Sequence, residues 1–182
     1  ILGGVWMIQQ VNRGDIRPLF QATATPTRAV ESFLLEGDAN FTAGNLNNAI
    51  AAYQEAVRVN PNDAVTCAKL ARIQAYSSAC LITNAEKKER LLQALESARK
   101  AVELAPDEST ARAILAFTLD WNANSSIYAN DPRQVDKFLA EAEQEALIAL
   151  QKDNTNTLAL AYYAEVLLDQ QKWDLAEQFI NQ

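Results

Sequence analysis

The side chains most often used for chemistry are sparse in this chain. None of its 182 residues is a histidine, which removes histidine-activated nucleophiles, imidazole metal ligands and a histidine pH switch together. Cys67 and Cys80 are the only cysteines. On one continuous helix they would stand ~20 Å apart, whereas a disulfide needs Cα atoms within ~7 Å. Two free, mostly buried thiols are therefore expected, with no base beside them to make a nucleophile. Asp107-Glu108 and the Glu141/Glu143/Glu145 series read as helix-starting or surface acids, not as a catalytic pair or a metal cage. No glycine-rich phosphate loop occurs. These observations predict no catalysis, no metal and no cofactor.

Composition narrows the class further. The hydrophobic share is 49%, with only five glycines and five prolines, and no sustained alternation of apolar and polar residues argues for strands. The expectation is an all-α chain. Its net charge of −7 does not suit nucleic acid as the main partner. Two glycosylation-type sequons, Asn40-Phe41-Thr42 and Asn124-Ser125-Ser126, and the small basic patch Lys87-Lys88 with Arg90 add little.

The amino-terminal stretch 1–11 opens on an apolar run containing Ile1, Leu2, Val5, Trp6, Met7 and Ile8. Eight residues cannot cross a bilayer, which takes ~20. The run reads as the end of a membrane anchor, with Trp6 at the interface. Residues 12–28 form a connector broken by Gly14, Pro18 and Pro26, with the Thr/Pro character of a stalk. The reading is a membrane-anchored protein whose helical part lies on the extracytoplasmic side, the cytoplasmic side being left open by Arg13, Arg17 and Arg28.

From residue 29 onward the chain is periodic. Helices are expected over 28–43, 46–59, 63–81, 83–104, 106–122, 131–152, 157–170 and 174–182. Their signals are Asn45 as a cap, a Thr83…Glu86 capping box and Pro132 following the capping Asp131. Ala49-Ile-Ala-Ala-Tyr53-Gln-Glu-Ala56 returns as Ala94…Ala98…Ala101, as Ala142…Ala146…Ala149 and as Ala176-Glu-Gln. Gly37, Ala49, Ala56 and Pro61 in the first copy are matched by Ala71, Ala94, Ala101 and Pro106 in the second. Ala116, Ala142 and Ala149 match in the third, with Asn154 in place of proline, and Ala164 and Ala176 in the fourth. Small residues at these positions let two helices cross closely, and one such hairpin cannot bury its apolar face without a neighbour.

This pattern resembles the tetratricopeptide repeat (TPR) family. The resemblance implies an α/α solenoid of antiparallel helix pairs, with copies at 29–61, 62–106, 107–154 and an incomplete 155–182. It also implies a concave groove, lined by the first helix of each pair, that takes an extended or helical peptide. Carried over position by position, the groove would present Asp38, Phe41, Arg72, Tyr76, Phe117, Asp120, Trp121 and Glu165. Leu34 and Asp38 stand where chaperone-tail-binding members need basic and amide residues, so that subclass is excluded. The intervals between Ala49, Ala94, Ala142 and Ala176 are 45, 48 and 34 residues. The excess falls near 76–88 and 121–133, within the second and third hairpins and on one edge, either as a partner-facing rim or as longer helices and solvated loops. The expected function is a membrane-tethered scaffold for protein–protein contacts. The alternatives are a structural subunit of a membrane complex and the non-catalytic part of a longer enzyme.

Overall fold

The structure, a computed structural model, describes residues 28–180. Among them are eight α-helices and no strand: α1 (Val30–Thr42), α2 (Leu46–Val59), α3 (Ala64–Ser78), α4 (Asn84–Leu104), α5 (Ser109–Ala123), α6 (Pro132–Lys152), α7 (Thr157–Asp169) and α8 (Trp173–Ile180). A single 3-10 turn, Ser126–Tyr128, sits between α5 and α6. The helices form antiparallel pairs, and the second helix of each pair packs against the first helix of the next. The first helices also touch one another directly, α3 with α5 and α5 with α7. This is the expected α/α solenoid.

Local signals set the helix ends. The Thr83 hydroxyl accepts from the Glu86 backbone N–H while the Glu86 carboxylate accepts from the Thr83 N–H, a complete capping box. Asp63, Asp131 and Asn156 cap α3, α6 and α7 through their side chains. Asn45 precedes α2 without a capping hydrogen bond. The fifth helix starts at Ser109, with Glu108 as its cap, slightly later than its proline suggests. Gly44 ends α1 at φ 77°. Its N–H donates to the Phe41 carbonyl and the Asn45 N–H to the Asn40 carbonyl, a turn that glycine enters without Cβ strain.

The extra residues of the middle copies are mostly helical. The helices α4 and α6 each have 21 residues against 14 in α2, and α3 and α5 have 15 against 13 in α1. The remainder lengthens the turns to 79–83 and 124–131. Because Ala94 and Ala142 stand as far from the ends of α4 and α6 as Ala49 does from the end of α2, both second helices are extended at their amino-terminal ends. The added turns therefore lie on the hairpin-turn edge.

Two expectations are corrected. Cys67 is buried but Cys80 is exposed, because α3 stops at Ser78 and leaves Cys80 in the following turn. The membrane-anchored localisation is also overturned: among the described residues no helix is long and apolar enough to cross a membrane. The two 21-residue helices have the length of a span but carry charges throughout, such as Lys87, Lys88, Glu89 and Arg90 in α4. The apolar residues Ile1, Leu2, Val5, Trp6, Met7 and Ile8, and the connector after them, lie outside the described residues.

Helix crossing is controlled by alanine. Ala49, Ala56, Ala94, Ala98, Ala101, Ala142, Ala146 and Ala149 have no exposed surface. The first pair solves the crossing differently, with Gly37 beneath the ring of Tyr53. A Cβ on Gly37 would lie 2.6 Å from Tyr53 Cε1, closer than van der Waals contact allows. In the later copies Ala71 and Ala116 replace the glycine while Ala98 and Ala146 replace the tyrosine. Gly37→Ala is expected to destabilise the protein by about 1–3 kcal/mol through overpacking. Adding Tyr53→Ala recreates the pairing of the later copies, so the two changes should be strongly non-additive in a double-mutant cycle of denaturant melts.

Candidate functional site

The first helices of successive pairs form an inner row that carries a continuous set of rings, partly buried at Phe41, Tyr76 and Trp121 and enclosed at Phe117 and Tyr162. Phe41 of α1 stacks on Tyr76 of α3 at 6.4 Å between centroids. Tyr76 meets Phe117 of α5 at 5.1 Å and the edge of Trp121 at 5.3 Å. Phe117 stacks on Tyr162 of α7 at 4.5 Å. Such ring pairs add about 0.5–1.5 kcal/mol each beyond burial. The Arg72 guanidinium lies 5.3 Å from the Phe41 centroid, so the row combines rings with a cation.

Asp38 sits at the α1 end of this row. Tyr53 Oη donates to Asp38 Oδ1 at 2.5 Å, and Lys69 Nζ donates to both carboxylate oxygens at 2.8 and 2.9 Å. Burial pushes the Asp38 carboxyl up, but the hydrogen bonds from Lys69 and Tyr53 outweigh it and hold the group below the usual carboxylate range. Asp38 therefore stays ionised and pins α1 to α2 and α3.

At the turn edge of the row a cavity of about 510 Å³ opens between α3, α4, α5 and α7. Asp120, Trp121, Asn124, Glu165, Asp169 and, on the far wall, Lys87 line it. Asp120 is only 1% exposed, and its Oδ1 accepts no hydrogen bond. Burial, then the charges of Asp169 and Glu165 and a hydrogen bond with the Asp169 side chain, raise the Asp120 carboxyl to about 8, against a smaller opposing hydrogen bond from Asn124. Burial and the neighbouring Asp169 raise Glu165 as well. The Asn124 amide donates to Asp169 Oδ2 and to the Asp120 carbonyl.

The eight residues expected in the groove thus have distinct positions. Phe41, Arg72, Tyr76 and Trp121 are half-buried neighbours on the inner row. Phe117 is 1% exposed and sits within the ring cluster, while Asp38 lies at one end of the row and Asp120 and Glu165 line the cavity at its edge. The carry-over missed Tyr162, Lys69, Asn124 and Asp169. Asp169 stands one helical turn after Glu165, so the same periodicity carried one turn further reaches it. Lys69 had no such signal, because only the tertiary approach of α3 to α1 gives it Asp38.

Asp120 makes stability depend on pH with a definite sign. Its carboxyl titrates near ~3.9 when unfolded and near 8 when folded, so the unfolded chain releases this proton first. The associated stability is fully present below the unfolded value and is lost as pH rises towards and through 8. Asp120→Asn should therefore melt several degrees above the parent at pH 9 and close to it at pH 4, as followed by circular dichroism.

The tetratricopeptide repeat family model matches residues 30–63, the segment that holds α1, α2 and Gly37. No curated protein matches the chain at a significant level. Among solved structures, a thermophilic TPR protein of Thermus thermophilus is similar at a TM-score of 0.71, with 19% identity over 84% of this chain and 72% of that one. The first TPR domain of Spaghetti (RPAP3), bound to an HSP90 peptide, is similar at 0.55, with 15% identity over 78% of this chain and 92% of that one. The second TPR domain of human RPAP3, in complex with an HSP70 peptide, is similar at 0.52, with 17% identity over 76% and 98%. Residues 30–63 thus match a tetratricopeptide repeat, and the stacked hairpins of the described residues share the fold of these TPR structures.

Proposed function

We propose that the chain is a non-catalytic scaffold that binds an extended or helical segment of a partner protein along the inner row. The observation that carries this reading is the unbroken run from Phe41 through Tyr76 to Trp121, with Arg72 over Phe41. Rings and arginine are the side chains that dominate binding energy at protein interfaces, because they bring large contact area with few rotamers to freeze. Half-burial fits the role, since such rings are held in place from behind and remain accessible in front.

The fold neighbours that carry HSP90 and HSP70 peptides show only that this fold accommodates a peptide. Their mode is not transferred. Here Leu34 and Asp38 occupy the places of basic and amide residues, and the Asp38 carboxylate bonded to Lys69 would repel the terminal carboxylate of such a peptide. A segment with a neutral or basic centre suits the row better.

Capture of partner proteins by the immobilised chain tests this. The Arg72→Ala, Tyr76→Ala, Trp121→Ala triple variant is expected to lose at least tenfold in capture, whereas Lys88→Ala, on an exposed face of α4, is expected to capture normally. Equal capture by the triple variant, at unchanged helicity, would remove the inner row as the binding surface.

A further inference from the structure

The cavity at the turn edge owes its walls to the lengthened hairpins. Lys87 belongs to the added amino-terminal turns of α4, and Asn124 opens the eight-residue connection 124–131. On the inner side stand Asp120 of α5 and Glu165 and Asp169 of α7. Among the described residues, no ion pair uses the carboxyl group of Asp120, Glu165 or Asp169; Asp120, raised to about 8, keeps its proton beside the Asp169 charge and would release it to an entering cation. The Asn124 amide is a polar neighbour, not a counter-charge. Asp120 is 99% buried, yet its Oδ1 accepts no hydrogen bond and the residue faces this cavity. A buried acceptor without a donor costs free energy that a cationic donor entering the cavity would recover.

The shape of the site narrows the cation. Trp121 lines the same cavity and is held by edge contact with Tyr76 and a tilted contact with Phe117. A planar guanidinium combines stacking on an indole with several donors for carboxylates on two sides, whereas an ammonium offers a compact, strongly hydrated charge. The cavity of about 510 Å³ has room for such a side chain.

We propose that this cavity is a specificity pocket for an arginine side chain of the bound segment, received between Asp120, Glu165 and Asp169 against Trp121. The assignment rests on the peptide-binding reading above, because the cavity continues the inner row at Trp121. It adds to that reading a charge requirement at one position of the ligand.

Nα-acetyl-arginine amide and its neutral isostere Nα-acetyl-citrulline amide, titrated into the chain and followed by NMR, test the pocket directly. The arginine probe should shift the Trp121 indole and Asn124 amide signals saturably, and citrulline should bind at least tenfold more weakly. Asp169→Asn, a change at an exposed residue that leaves the core intact, should weaken the arginine probe at least fivefold. Asp120→Asn, nearly isosteric, should act in the same direction. Equal shifts from citrulline, or an Asp169→Asn variant that binds as the parent does, would overturn the assignment.

Extended heptapeptides selected on the chain from a random library separate the two readings. Enrichment of one arginine, whose replacement by citrulline weakens binding in the parent but not in Asp169→Asn, supports both. Peptides that need Arg72, Tyr76 and Trp121 but no arginine leave the inner row standing and overturn the pocket. Binding of the arginine probe with no peptide selected overturns a peptide as the source of the guanidinium, and the inner-row reading with it.

Discussion

Close crossing of helices at alanine is the constraint from which the rest of the structure follows. A helix pair exposes one apolar face, and it becomes stable only when the next pair covers that face. Coverage requires the helix axes to approach closely, which a side chain larger than a methyl group would prevent at the crossing points. The fully buried columns Ala49, Ala56, Ala94, Ala98, Ala101, Ala142, Ala146 and Ala149 satisfy this condition. Larger residues then fill the space beside the columns, with Leu91, Leu119, Leu167 and Val166 completely enclosed. With the core settled on that side, the inner row of α1, α3, α5 and α7 is left to hold rings.

Most of the fold was legible because its determinants are local or periodic. The alanine spacing, the Thr83–Glu86 box, Asp131-Pro132 and Gly44 each act within a few residues. The fate of the extra residues near 76–88 and 121–133 was ambiguous, because 11 or 14 residues can be absorbed as helix or as loop. The segments Asn84–Arg90 and Pro132–Phe138 are rich in residues that propagate a helix once a cap starts it, and they became helix. Cys80 was misplaced for the converse reason: its neighbourhood reads as a continuing helix, but a turn intervenes.

The candidate site was legible in part. The positions of Phe41, Arg72, Tyr76 and Trp121 come from the resemblance to the repeat family, carried over position by position. Their mutual arrangement does not, and neither does the enclosure of Phe117, which depends on Tyr162 arriving from α7. Asp120 is the sharper case. Sequence phase puts it on the inner face, but its burial, its unbonded Oδ1 and the approach of Asp169 and Glu165 arise only when α5 and α7 are packed. Long-range electrostatics of this kind leaves no short sequence signature.

The unequal hairpins carry a consequence for how such a chain can change by duplication or recombination. The second and third pairs share 21-residue second helices and 15-residue first helices, while the opening pair has 14 and 13. An exchange of units between the two long pairs preserves height along the stack. An exchange between a long and a short pair leaves two helical turns overhanging a neighbour too short to cover them. The modules of this array are therefore not all interchangeable bricks, and among the described residues the central two match in dimensions.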